Sequence, residues 1–273
     1  MKLAAKQGDL QDMQREAPSG TPSGDTMIRF IEERSINSLP ALRTMFFDGW
    51  ILRFAEGYTR RANSVNPLYP SALPLDDKID YCEQLYRSHG LDVIFKLTDA
   101  ALPADLDARL DGRGYQHTET VIVQTCTLGM IALPPARRDL ILLPAVNDAW
   151  LDDYCRLNGT DPARKPTIQR MLGSLAPSAT FAALVRRGVT VAVGVAVLDF
   201  GFLGLFDVVV EKSMRRQGYG SALVSGLLSW GKSRGASHAY LQVVDENLDA
   251  QRLYARLAFE ERYRYWYRTR RLP

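Results

Sequence analysis

The sequence predicts an α/β protein built on a mixed sheet, in which a strand–helix–strand–helix–strand order occurs twice along 273 residues. Three observations carry that expectation. Residues 206–210 read as a buried strand entering a basic, glycine-punctuated turn, and a helix opens at Ser221 with Leu223, Val224, Leu227 and Leu228 on one face. A second strand at 238–244 is followed by a helix from Asn247. The first half repeats this order and is separated from the second by the proline-containing stretch 132–138.

Taken in order, residues 1–26 are polar, with little hydrophobic content, and read as a disordered tail. Order is expected from Met27, with a helix at 39–47 and strands at 49–54 and 58–65. Pro67, Pro70 and Pro74 mark a loop. Helix 76–88, strand 92–97, helix 102–110 and strand 114–127 complete a domain spanning 27–131, and 132–138 is its linker. The second domain, 139–273, begins with a strand at 139–143 and helices at 148–157 and 162–172. Strands at 180–186, 189–198 and 203–210 lead into the turn. Arg262-Tyr-Arg-Tyr-Trp-Tyr-Arg alternates with period two, as a last strand with one buried face would.

Composition narrows the function. With 46% hydrophobic and 24% charged residues the chain is that of a soluble globular protein, and a net charge of +3 is too small to imply a polyanion partner. Asp199 and Asp207 interrupt the apolar run 191–210, each costing about 2.5–3.5 kcal/mol in mid-bilayer, so no membrane span is expected there. Cys82, Cys126 and Cys155 are scattered and read as reduced thiols of a cytoplasmic protein. His89, His117 and His238 are isolated, and no metal site is expected. Asp199-Phe200-Gly201 imitates a kinase motif without the Gly-rich and catalytic loops that motif requires.

The turn carries the chemistry. A strand, a turn with free backbone N–H groups and a helix N-terminus form an anion cradle, to which Arg215 and Arg216 add charge suited to a diphosphate. Neither a Walker loop nor a dinucleotide fingerprint is present. Arg215-x-x-Gly218-x-Gly220, followed by Asn247, Ala250 and Tyr254 on one helix face, resembles the signature of the GCN5-related N-acetyltransferases, or GNAT family, across residues 139–269. That resemblance implies a GNAT acyl-CoA N-acyltransferase fold and acetyl-CoA as acyl donor. It places the pantetheine arm along Val208, Val209 and Val210, and the diphosphate on Arg215, Arg216, Gln217, Gly218, Tyr219, Gly220 and Ser221. Asn247 and Ala250 close the site, and Tyr254 is the acid that protonates the leaving thiolate.

Two departures from the family pattern stand out. Gln242 occupies a position where many members have a Glu base, which leaves Asp207, Glu211, Asp245 or a water chain. Asp207, in an apolar strand where burial raises a carboxyl pKa, is the candidate base, with a structural carboxylate as the competing reading. Ala258 stands where the family has Gly. The N-terminal half lacks an R-x-x-G-x-G turn and has Leu110 where Tyr254 would fall, as expected either of a degenerate GNAT-like domain or of an unrelated α+β domain. Arg53, Arg60, Arg61 and Asn63 could reach a cleft between the halves or form a solvated face. The expected activity is transfer of an acetyl group to a primary amine, on a small molecule or a peptide, with no nucleic-acid or membrane partner. The competing readings are a non-catalytic acyl-CoA-binding module and a nucleic-acid binder.

Overall fold

A computed structural model describes residues 24–135 and 137–271. The chain runs α1 (Gly24–Ser38), β1 (Arg43–Phe47), β2 (Trp50–Phe54), β3 (Val65–Pro67), α2 (Leu75–Ser88), β4 (Val93–Thr98), α3 (Leu106–Gly112) and β5 (Gln116–Thr127). It continues with β6 (Leu140–Leu143), α4 (Asp148–Asn158), α5 (Lys165–Gly173), β7 (Ser178–Arg186), β8 (Val189–Asp199) and β9 (Phe202–Val210). The last elements are α6 (Tyr219–Ser233), β10 (His238–Val244), α7 (Leu248–Ala255) and β11 (Glu260–Arg270). The expected mixed α/β architecture is what these elements form.

All eleven strands join one sheet in the order β1-β2-β3-β4-β11-β5-β10-β9-β8-β7-β6. The halves exchange strands at its centre. β5, from the first half, lies between β10 and β11, and β11, the last strand, lies between β4 and β5. Outward from the antiparallel β5/β11 pair the pattern is the same on both sides: one antiparallel pair, then the parallel pairs β3/β4 and β9/β10, then antiparallel pairs. Tyr263, Tyr265 and Tyr267 of β11 are buried, so the aromatic alternation records an interior strand and leaves none of these three rings exposed for stacking on a base.

Several local expectations are corrected. Residues 39–47 are not a helix: Arg43–Phe47 is β1, hairpinned to β2 through Asp48 and Gly49, both at positive φ. Asp-Gly between two apolar runs is the signal of such a turn, because both central residues need the left-handed region. Residues 58–64 form a loop, not a strand. Asn63 holds it by accepting from the N–H groups of Ala55 (2.8 Å) and Gly57 (3.0 Å) and donating to the carbonyls of Tyr58 and Thr59. The helix expected at 102–110 is α3, which starts at Leu106. Of the expected tail, residues 1–23 lie outside the described residues, while Gly24, Asp25 and Thr26 open α1.

α6 and α7 cover one face of the second half of the sheet, and α1, α4 and α5 pack on the other. α1 is fastened across the exchanged strands by polar contacts. Glu32 pairs with Lys96 of β4 at 2.5 Å and accepts from Tyr263 of β11 at 2.7 Å. Ser35 accepts from Gln242 of β10 at 2.7 Å, and Ser38 bonds Tyr240 at 3.1 Å. Among the described residues no helix is long and apolar enough to cross a membrane.

Candidate active site

The site begins where a ladder fails. β9 and β10 pair in parallel only as far as Leu205 and Leu241, so beyond that point the two strands part. The register of β9 against β8 slips at the same level: Val195 faces Phe206 and Val193 faces Val209, leaving Asp207 and Val208 opposite Gly194 alone. This β-bulge puts Asp207 at φ +51°, a conformation Asp tolerates better than most residues, and leaves backbone polar groups outside the ladder. The result is a cleft of about 550 Å³ with Val208 and Val209 on one side and Val244, Asn247, Ala250 and Tyr254 on the other.

The turn after β9 is a short 3-10 segment, Lys212–Met214, followed by extended Arg215, left-handed Arg216 and Gly218 at φ +83° capping α6. No side chain caps α6 and no acid stands in its first turn, so its opening N–H groups and the positive end of its dipole remain available to an anion. The two glycines act differently. Gly218 has open space around it and is required by its φ, whereas a Cβ on Gly220 would sit 2.7 Å from Leu253 of α7. Gly220 therefore lets α7, which carries Tyr254, pack against α6. Arg215 donates to the carbonyl of Val210 (3.3 Å), exposed Arg216 meets Asp249 (3.4 Å), and Gln217 donates to the carbonyl of Ser213. Ser221 is exposed. The side chain of Tyr219 is buried, its hydroxyl accepting from Arg186, so only its backbone faces the turn.

Asn247 caps α7, its Oδ1 accepting from the N–H of Ala250 at 3.2 Å, and it lines the cleft as well. Tyr254 is 8% exposed, and its hydroxyl has no partner among the described residues; burial pushes it up to about 12. Ala258, despite its Cβ, keeps the left-handed turn at φ +59°. Gln242 lies on the cleft wall, donating to Ser35 and accepting from Tyr265 (3.2 Å). Of the three carboxylates considered from the sequence, Asp207 lines the cleft. Glu211 pairs with Arg156 and Asp245 with Arg264 at the surface. Burial raises the Asp207 carboxyl, and Arg61, 3.7 Å away, partly offsets that rise.

The opposite rim comes from the first half. Tyr58, Thr59, Arg60, Arg61 and Glu119 all line the cleft. Of the four polar residues proposed to reach across, Arg60 and Arg61 do so, while Arg53 and Asn63 are buried supports. Arg53 donates to the carbonyls of Arg61 (2.6 Å), Ile36 and Leu39, which fixes the backbone that carries Arg61. The hydroxyls of Tyr58 and Tyr154 are 2.8 Å apart beside Asp207; burial raises both, that of Tyr58 to about 12. Glu119 was missed in the sequence. It is the unpaired residue of a second bulge, between Thr118 facing Tyr267 and Thr120 facing Trp266, at φ +46° and 3.5 Å from Arg60. No local signal marks it, because the bulge arises from the pairing of β5 with β11.

A mixed sheet whose parallel pair parts over a glycine turn at a helix start is the architecture of the GNAT acetyltransferases. The chain belongs to the family described as "Probable histone acetyltransferase Rv0428c C-terminal", whose model matches residues 25–268. It is 31% identical over 249 residues to the uncharacterized N-acetyltransferase YobR of Bacillus subtilis, covering 89% of this chain and 99% of that protein. It is 30% identical over 225 residues to the probable histone acetyltransferase Rv0428c of Mycobacterium tuberculosis, covering 82% and 68%. A GCN5-related N-acetyltransferase from Kribbella flavida shares the fold at TM-score 0.66 and 14% identity, over 93% of this chain and 98% of that one. A "Tandem GNAT protein from the clavulanic acid biosynthesis pathway" does so at TM-score 0.59 and 12% identity, over 95% and 91%.

Proposed function

We propose that the protein transfers an acetyl group from acetyl-CoA to a primary amine by direct attack of the amine on the thioester. The observation that carries this reading is the parting of β9 from β10 into a cleft that Asp207 and Tyr254 both line, with the Gly218 turn following β9. The residues present fit the donor. The edge formed by Val208, Val209 and Val210 suits its amide-bearing arm, and the uncapped start of α6 with Arg215 and Arg216 suits its diphosphate. Bound acetyl-CoA supplies the activated acyl carbon and a thiol leaving group. Asp207, a stronger base than a surface carboxylate because burial raises it, takes the proton of the amine. A backbone N–H released by the bulge can donate to oxygen as negative charge gathers there. Tyr254 stays protonated near neutral pH and gives its proton to sulfur.

The first half is best read as a degenerate copy. Its strands and helices follow the same order, but α2 opens with Asp76 and Asp77 where α6 has no acid, and Arg109 and Arg113 close on Asp76. Carboxylates at that helix start repel a diphosphate. Gln242, in place of the family's Glu, favours a second reading, a non-catalytic acyl-CoA-binding module. The test is calorimetric titration of acetyl-CoA into the parent and Gly218→Glu, followed by thiol release with amines. Binding lost in the variant supports the donor site, absence of binding by a folded parent overturns it, and sustained thiol release excludes the non-catalytic module.

A further inference from the structure

We propose that the acceptor is a small molecule bearing both an amine and a carboxylate, with Arg61 holding the carboxylate and Asp207 the amine. The proposal rests on the acetyltransferase reading and names its substrate class. It starts from two charges whose hydrogen bonds are unspent. The Arg61 side chain is 24% exposed, and its guanidinium makes no hydrogen bond among the described residues. The Asp207 side chain is 16% exposed and likewise accepts none. At 3.7 Å the two attract each other but are too far apart for a hydrogen bond.

Their surroundings are largely aromatic and held in place. Arg61 stands 6.0 Å over the ring of Phe206, within a wall that includes Tyr58, Tyr154 and Tyr265. Fully buried Arg53 grips its backbone carbonyl. Partly desolvated charges that spend none of their donors or lone pairs are costly alone, and a ligand with the two opposite charges satisfies both at once. A guanidinium fork matches a carboxylate in bidentate geometry, and a carboxylate receives an ammonium through charge-assisted hydrogen bonds. A lysine side chain in a peptide brings the ammonium alone and leaves Arg61 without an anion. At the rim, Arg60 and Glu119 repeat the same pairing of signs at 3.5 Å, more exposed, where such a zwitterion would enter. Both carboxylates sit on bulges of different strands and both arginines on one loop, so the acceptor site exists only where the two halves meet.

The test uses the full chain and measures thiol release with each free amino acid, its C-terminal amide and the matching amine lacking the carboxylate. At least one free acid should show a kcat/KM tenfold or more above its amide and amine. Arg61→Gln should raise KM for that acid by tenfold or more with a smaller change in kcat. Arg61→Lys should recover part of the loss, and both variants should bind acetyl-CoA as the parent does. Equal rates for acid and amide, a lysine peptide faster than every free acid, or an unmoved KM in Arg61→Gln overturns the proposal. So does absence of turnover across the panel in protein that binds acetyl-CoA, a result that leaves the donor site standing. Should Arg61→Gln fail to fold, the acid and amide comparison in the parent decides. Should acetyl-CoA not bind, the donor reading falls, and direct titration of acids and amides decides instead. Binding of acids alone then supports the acceptor site, and any other result overturns it.

Discussion

Lys96→Met should destabilise the fold out of proportion to its size, because it breaks the buried pair that fastens α1 to the sheet. Lys96 and Glu32 are 3% and 1% exposed, with Nζ and Oε2 2.5 Å apart. The ammonium also lies 4.0 Å over the ring of Tyr265. Burial lowers the Lys96 pKa, and Glu32 opposes that shift. Removing one partner of a buried pair costs about 3–5 kcal/mol, since the other charge is left uncompensated. Tyr263 still donates to Glu32, which argues for the lower end, about 3 kcal/mol. For a chain of this length that corresponds to a fall in Tm of roughly 6 °C. Adding Glu32→Gln to Lys96→Met removes the stranded charge and keeps an acceptor for Tyr263, so more than half the loss should return. Urea unfolding and calorimetry of parent, single and double variants measure both quantities. A Lys96→Met protein within about 0.5 kcal/mol of the parent, or a double variant no better than the single, refutes the reasoning.

Three further outcomes are expected. Asp207→Asn should lower kcat by about 10²–10⁴ while acetyl-CoA binding is kept, and retained turnover would remove Asp207 as the base. Asp207 acts only when ionised and its carboxyl is raised, so kcat/KM should fall as the pH drops through that raised value. Arg61 pulls the value down, so Arg61→Gln should move the acid limb to higher pH; a shift to lower pH in the rate profile contradicts the assignment. Ala258→Gly should leave stability unchanged or raise it by up to about 1 kcal/mol, since it relieves a left-handed Ala at φ +59° against the greater freedom of unfolded Gly. A clear loss in urea unfolding would mean that the Ala methyl contributes packing at that turn.

What could be read in the chain was local. The strand and turn from 206, the helix after them and Tyr254 on the face of Asn247 and Ala250 all follow from local spacing, although α6 starts at Tyr219, two residues before Ser221. The hairpin signal at Asp48-Gly49 is equally local, but the apolar run before it, Leu39 to Phe47, also fits a helix, and pairing with β2 decides for the strand. The loop at 58–64 differs: only Tyr58 and Thr59 there favour a strand, and the bonds of Asn63 close the backbone on itself.

By itself, the sequence determined the elements of the second half and the residue types at the turn, because helix periods, caps and left-handed glycines depend on neighbours within a few positions. The tertiary structure decided the exchange of β5 and β11, the parting of β9 from β10, the bulges at Asp207 and Glu119, and the approach of Arg60 and Arg61. Those features depend on which distant strands pair and where their registers slip. A bulge is a mismatch between two chains of hydrogen bonds, and neither strand records it alone.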